Sequence, residues 1–318
     1  MPIIKAHKLT KKFERSSFDW KNFRFQKTEN TAVNAIDLEI NEGEFVGFLG
    51  PNGAGKTTFL KMLSGIIYPT SGKAEVLGYD PFEKDYKFLK QIGLVMGQKN
   101  QLWWDLSAKD SYDLLKEIYE IDETIFKKDL DLMIDILDMR KFINTRVRNM
   151  SLGERMKCEI VAALIHQPKL LFLDEPTIGL DIVSAQAIRK FLKEINQEKK
   201  CTIILTSHYM ADVEALCERL VIINRGTKVY DGSLSNLRQK YASERIIEIF
   251  LPTLEDKEKF AHLPGKKSLN EGRGTIRIKK NEVGEVAKRA FENFDPENIT
   301  ISDVETEEII SKIFTSKN

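Results

Sequence analysis

The run Gly50-Pro51-Asn52-Gly53-Ala54-Gly55-Lys56-Thr57-Thr58 carries the clearest chemistry of the chain. Its spacing is G-x-x-x-x-G-K-[ST], that of a phosphate-binding P-loop. A glycine-rich turn between a strand and a helix start leaves several backbone N–H groups aimed into one concavity. The helix dipole adds partial positive charge there, so main chain can hold a polyphosphate. Lys56 is placed to reach the β- and γ-phosphates, and the Thr57 hydroxyl to ligate Mg²⁺. Two acids, Asp174 and Glu175, end the apolar run Leu170-Leu171-Phe172-Leu173. Such a run reads as a central parallel strand with a metal site at its carboxyl end. His208 follows a second such run, Cys201 to Ser207, at the polar end of a strand beside the phosphate site.

These groups need a frame, and the flanking sequence supplies one. Phe45 to Leu49 reads as a short buried strand before the loop, and Lys56 to Gly65 as a helix after it. Residues 1–12 suggest an edge strand, and Ala32 to Ile40 alternate as a strand. Between them lies an aromatic, basic stretch, residues 18–25, that either packs on the sheet or offers a ring to a base. Gln91 to Gln98 is another strand, ending at a glutamine. Helical sequence follows from about 108 to 150, as an inserted helical subdomain spanning about 100–165. Residues 220–223 and 228–230 read as a hairpin. From about 243 the pattern changes to strands and amphipathic helices, a small α+β module of roughly ferredoxin-like type without a His/Cys cluster or a second glycine loop. The expected architecture is thus an α/β P-loop unit over residues 1–236 and an accessory module over 243–318.

Composition narrows the class. The net charge is +1 with 31% charged residues, which gives no electrostatic case for nucleic acid. The three cysteines, Cys158, Cys201 and Cys217, have no metal spacing and read as buried free thiols of a reducing compartment. The N-terminus lacks a signal-peptide stretch, and no uncharged apolar run approaches a membrane span. A soluble, cytoplasmic protein is expected. A guanine-reading [NT]-K-x-D motif does not occur.

Taken in order, these motifs resemble the nucleotide-binding subunit of ATP-binding cassette (ABC) transporters. Met150-Ser151-Leu152-Gly153-Glu154-Arg155 stands where that family carries its LSGGQ signature, with Leu152 in place of a second glycine and Glu154 in place of glutamine. Gln98 looks like the Q-loop glutamine, Gly179-Leu180-Asp181 like the D-loop, and Phe13 falls where an adenine-stacking aromatic is expected. The resemblance covers about residues 1–235. It extends to drug-export-type subunits, the daunorubicin-resistance-like group and a viologen-exporter-like branch around Gly97 to Leu106.

The resemblance implies ATP and Mg²⁺ as ligands. Lys56 and residues 52–58 would cradle phosphates, while Thr57, Gln98 and Asp174 organise Mg²⁺. Glu175 would take a proton from the attacking water, and His208 would contact the γ-phosphate. Ser151, Gly153, Glu154 and Asp181 would belong to a nucleotide site shared with a second, head-to-tail cassette, in a homodimer or with a close relative. The partners implied are membrane permease subunits, placing the chain peripherally at the cytoplasmic face of the membrane. Trp103 and Trp104 would either shape the groove for a permease or pack in the core. A soluble ABC ATPase acting on ribosomes or DNA, and an importer, are the competing readings.

Overall fold

The computed structural model describes residues 1–19, 24–97, 101–241 and 244–315. They form two compact units, Met1–Gly232 and Ser233–Asn318.

The first unit begins with a long antiparallel hairpin, β1 (Pro2–Asp19) and β2 (Arg24–Asn41). β3 (Phe45–Leu49) leads into α1 (Lys56–Leu63), then come β4 (Ser71–Val76), α2 (Tyr86–Leu89) and β5 (Ile92–Met96). α3 (Ala108–Tyr119), α4 (Glu123–Ile136) and α5 (Leu152–Leu164) precede β6 (Leu170–Asp174). α6 (Ile182–Lys199), β7 (Thr202–Ser207), α7 (Met210–Leu216), β8 (Arg219–Asn224) and β9 (Thr227–Ser233) complete it.

Two sheets result. The larger has the order β5-β6-β7-β3-β8-β9, with β5, β6, β7, β3 and β8 parallel. β3 and β7 are buried at every position. Apolar, β-branched runs of this kind suit a sheet covered on both faces. Side chains alternate across it. Leu171, Leu173, Ile203 and Leu205 join a core with α3, α4, α5 and α6. Leu170, Phe172, Ile204 and Val221 join a second core with Phe59, Leu60, Met62 and Leu63 of α1. Each such side chain contributes about 1.5–3 kcal/mol of burial. The smaller sheet, of order β2-β1-β4, closes this second core with Ile4, Leu9, Ile36, Ile40 and Val76. α1 and the loop before it are therefore held between two sheets.

Several sequence expectations need correction. β1 is the central strand of its sheet, hydrogen-bonded on both sides, and not an edge. The helical block between 108 and 150 consists of separate helices, which the sequence reading did not divide: α3 ends at Glu120 in a left-handed cap, and Asp122 starts α4 by accepting from Thr124 N and Ile125 N. Local caps of this type satisfy orphan N–H groups and stop one continuous helix from forming. Trp103 and Trp104 are 39% and 49% exposed, so neither ring is core.

The second unit runs α8 (Leu234–Tyr241), β10 (Glu244–Phe250), α9 (Leu254–Ala261), β11 (Lys266–Asn270), β12 (Arg273–Lys279), α10 (Val283–Asn293), β13 (Ile299–Asp303) and α11 (Thr306–Thr315). From β10 to β13 this is βαββαβ, in an antiparallel sheet ordered β11-β12-β10-β13, the ferredoxin-like arrangement. Ile247, Ile249, Ile276 and Ile278 of the sheet pack with Phe260, Val286 and Ala290. β11 and α8 escape the pattern reading of the chain. β11 is Lys-Lys-Ser-Leu-Asn with all five residues exposed, so it carries no burial alternation.

Candidate functional site

The glycine loop joins the carboxyl end of β3 to the first turn of α1, and its neighbours clamp it. A Cβ on Gly50 would lie 2.2 Å from the Ile223 carbonyl oxygen. Gly55 has φ 104°, and a Cβ there would meet the Ala32 carbonyl oxygen at 2.2 Å. Neither position tolerates a side chain without moving backbone, which is why glycine stands at both. Ala54 N donates to Pro51 O at 3.0 Å, and Gly226 N donates to Ala54 O at 2.9 Å.

Lys56 is 5% exposed, and its Nζ folds back on the loop to donate to Gly50 O at 2.7 Å and Pro51 O at 3.3 Å. Burial pushes its pKa below the usual lysine value, against the nearby Glu175 and Asp174 carboxylates, which raise it. An added polyanion in the adjoining space would stabilise this desolvated cation. That space is a cleft of about 300 Å³ lined by residues 52–58 together with Phe13, Asn30, Ala32 and Glu175. Phe13, 38% exposed, stands at the cleft with Lys11 Nζ 5.2 Å from its ring centroid. The side chains of the competing aromatic stretch, residues 18–25, lie outside the described part of the structure.

A second cleft of about 430 Å³ adjoins the loop, lined by Asn52, Gly53, Thr57, Gly97, Asp174 and Glu175 among others. Here Thr57 Oγ1 donates to Asp174 Oδ1 at 2.8 Å, and Thr206 Oγ1 donates to the same oxygen at 2.6 Å. A hydroxyl and a carboxylate beside a phosphate-sized space are the hard oxygen donors that Mg²⁺ takes, with phosphates and water completing its shell. Among the described residues no cluster of three or more acids, histidines or cysteines is placed to hold a metal. Gln98 lies outside the described residues. Gly97, just before it, donates its N–H to Asp174 O at 3.0 Å.

Glu175 sits at φ 53°, the left-handed region, uncommon for a residue with a side chain. Its N–H donates to Thr206 O at 3.0 Å. Its Oε2 lies 2.9 Å from His208 Nδ1, with both side chains partly exposed. The pairing follows from register: Asp174 on β6 is opposite Thr206 on β7, so the residues that follow each strand meet. Sequence reading missed Thr206, which bonds the Asp174 side chain and the Glu175 backbone; its place two residues before His208 was the available signal.

The structure does not bring every site candidate to this loop. Ser151 is the N-cap of α5, closing a capping box in which Ser151 Oγ and N both donate to Glu154 Oε2 at 2.9 Å. The Glu154 carboxylate is thus engaged at the helix end it caps. Gly153 packs on the residues after β6: a Cβ there would meet Ser184 Oγ at 2.5 Å and Asp181 Oδ2 at 3.5 Å. Asp181 caps α6, accepting from Ser184 N at 2.9 Å and Ser184 Oγ at 2.6 Å, and these bonds hold its carboxyl below the usual range. Among the described residues, Ser151, Gly153, Glu154 and Asp181 line neither cleft.

The loop between β5 and α3 is anchored from α5. Glu159 is 3% exposed, and its carboxylate accepts from Gln101 N at 2.9 Å and Leu102 N at 3.4 Å. Burial raises its pKa, opposed by those two bonds. A raised folded-state pKa means the folded chain holds this proton more tightly than the unfolded chain. The cost of ionisation is then absent below the unfolded value, about 4.3, and grows as pH rises towards the folded value. Glu159→Gln keeps an acceptor without the charge. Its Tm relative to wild type should therefore increase between pH 4 and pH 7 (roughly the span of the titration); a pH-independent difference would contradict this assignment.

A profile of the family described as ABC transporter matches residues 33–178. The ABC transporter ATP-binding protein NatA of Bacillus subtilis is 35% identical over 234 residues, covering 74% of this chain and 95% of that protein. The linearmycin resistance ATP-binding protein LnrL of the same organism is 34% identical over 221 residues, 70% of each chain. Among solved structures, the ATP-binding cassette MJ0796, a dimer bound to ADP and Pi, has the same fold with a TM-score of 0.62 at 24% identity, covering 73% of this chain and 98% of that one. No helix among the described residues is long and apolar enough to cross a membrane. With its clamped phosphate loop, its Thr57–Asp174 pair and these relatives, the chain belongs to the ABC transporter family, as an ATP-hydrolysing, ATP-binding subunit.

Proposed function

We propose that this subunit works as a head-to-tail dimer that closes on two Mg²⁺-bound ATP molecules and drives export through separate membrane permease subunits. The observation that carries the reading is the division of the site within one chain. The loop, Thr57, Asp174, Glu175 and His208 share one region, while the N-terminus of α5, where Ser151 and Leu152 are exposed, lines neither cleft there. The capping box takes the N–H groups of Ser151 and Glu154 and leaves those of Leu152 and Gly153 out of it; a helix start of this kind suits phosphate, so a second copy can complete the site. The dimeric state of MJ0796 and the resistance role in the name of LnrL support dimerisation and export respectively.

In this mechanism the loop amides and Lys56 hold the β- and γ-phosphates, and Phe13 stacks on the base. Mg²⁺ would be held by Thr57, Asp174 and Gln98 and would neutralise charge on the phosphate oxygens. Glu175 takes the proton of the attacking water, and His208, 2.9 Å from it, orients that carboxylate and contacts the γ-phosphate. Ser151 Oγ and Gly153 N–H of the second copy donate to the γ-phosphate across the interface. Trp103 and Trp104, half-exposed beside the helical subdomain, line the surface that receives a permease. The second unit serves regulation or partner contact.

The test is oligomeric state against nucleotide. Light scattering should read a monomer without nucleotide and a dimer with Mg²⁺ and a non-hydrolysable ATP analogue. Leu152→Asp, which places a charge against phosphate at the exposed side chain beside Gly153, should stay monomeric while binding ATP. A wild-type chain that saturates with nucleotide yet remains monomeric at every accessible concentration would overturn the shared-site reading.

A further inference from the structure

Behind the Glu175–His208 pair lies a buried acid that none of the roles above uses. Asp212, on α7, is 0% exposed. Its Oδ2 accepts from Thr177 Oγ1 at 2.5 Å and from Ser207 Oγ at 2.9 Å. Its Oδ1 accepts from Arg189 Nε at 2.7 Å. The three donors come from three different segments. Thr177 follows Glu175 by two residues, Ser207 directly precedes His208, and Arg189 lies on α6, the helix that Asp181 caps. Ser207 Oγ also accepts from Tyr209 N at 2.9 Å, so the same hydroxyl shapes the backbone on either side of His208.

A buried ion pair is a weak source of stability, because desolvation offsets most of its attraction. An apolar side chain would fill the same place at less cost. What a carboxylate supplies here is direction: each of its bonds fixes one donor at one angle. Glu175 itself, at φ 53°, is held in a sparsely populated backbone region that its surroundings must enforce. We propose that Asp212 is a positioning residue, which joins the segments after β6 and β7 so that Glu175 and His208 stay paired and α6 moves with them. This rests on the hydrolytic roles proposed for Glu175 and His208.

The experiment compares Thr177→Val, Thr177→Ser and Asp212→Asn with wild type and Glu175→Gln, measuring kcat and KM for ATP together with Tm. Thr177→Val removes one hydroxyl at constant volume and leaves the charge pair in place. It should lower kcat by about tenfold, the loss of roughly one hydrogen bond of positioning, with KM for ATP unchanged. Thr177→Ser, which restores the hydroxyl, should return kcat to wild type, and Asp212→Asn should lower it further. If Asp212→Asn does not fold, the Thr177 pair decides. Thr177→Val at the wild-type rate beside an inactive Glu175→Gln overturns this inference alone. A kcat loss that Thr177→Ser fails to rescue, in step with a fall in Tm, makes the network structural and overturns it too. Glu175→Gln at the wild-type rate would overturn the underlying hydrolytic reading, and this inference with it.

Discussion

Glu175→Gln should abolish turnover, by about 10²–10⁴-fold, the usual contribution of a positioned general base, while ATP binding is kept. The substitution exchanges one carboxylate oxygen for an amide nitrogen and changes neither volume nor backbone preference. The bonds that hold the segment, from Glu175 N to Thr206 O and from Gly97 N to Asp174 O, are main-chain contacts that survive it. Asp174 keeps both hydroxyl donors, Thr57 and Thr206. What is lost is the carboxylate paired with His208. Bound ATP then persists, so the variant should accumulate as a nucleotide-loaded dimer. Phosphate release, equilibrium binding of a fluorescent ATP analogue and light scattering read the three consequences separately. A Glu175→Gln chain that hydrolyses ATP at the wild-type rate would remove Glu175 as the base.

Lys56→Ala should act one step earlier and abolish binding itself. The ammonium is 5% exposed, and in the free chain its bonds run to the carbonyls of Gly50 and Pro51. Nucleotide phosphates offer it far better acceptors. Charge-assisted hydrogen bonds contribute about 1.5–3 kcal/mol each, so losing two weakens ATP by at least about 10²-fold. Fold stability should change much less, because Lys56 in the free chain is a desolvated cation with only neutral hydrogen-bond partners. Titration calorimetry with Mg²⁺-ATP and a Tm measured without nucleotide separate the effects. Equal losses of affinity and stability would mean that the side chain holds the loop and not the phosphate.

Much of this site was legible because its parts are local. A phosphate loop needs glycines, a lysine and a hydroxyl at fixed offsets along one turn, and Gly50 to Thr58 has them. The two apolar runs ending at Asp174 and Ser207 announced central strands because parallel strands are buried on both faces. The ferredoxin-like unit was legible where burial leaves periodicity, as in β12 and α10, and invisible where it does not, as in the fully exposed β11. The central position of β1 could not be read locally, since it is set by the second partner, β4, which pairs Ser71 with Thr10 and Val76 with Ile4 from far along the chain.

Ser151 and Glu154 illustrate the boundary. The resemblance implies that both belong to a nucleotide site shared with a second cassette; within one chain the fold joins them in the cap of α5 and sets Gly153 against Ser184 and Asp181. The chemistry available to this protein was determined by residue type and spacing: a loop that can hold phosphate, an acid pair that can serve metal and water, a histidine that follows a strand. Only the tertiary structure decided which of these groups meet. The register of β6 against β7 sets Glu175 beside His208, and the buried Asp212 gathers Thr177, Ser207 and Arg189 behind them. The reason is physical. Local spacing constrains a turn of chain, whereas contact between separate strands is set by sheet order and packing, which no short stretch of sequence encodes.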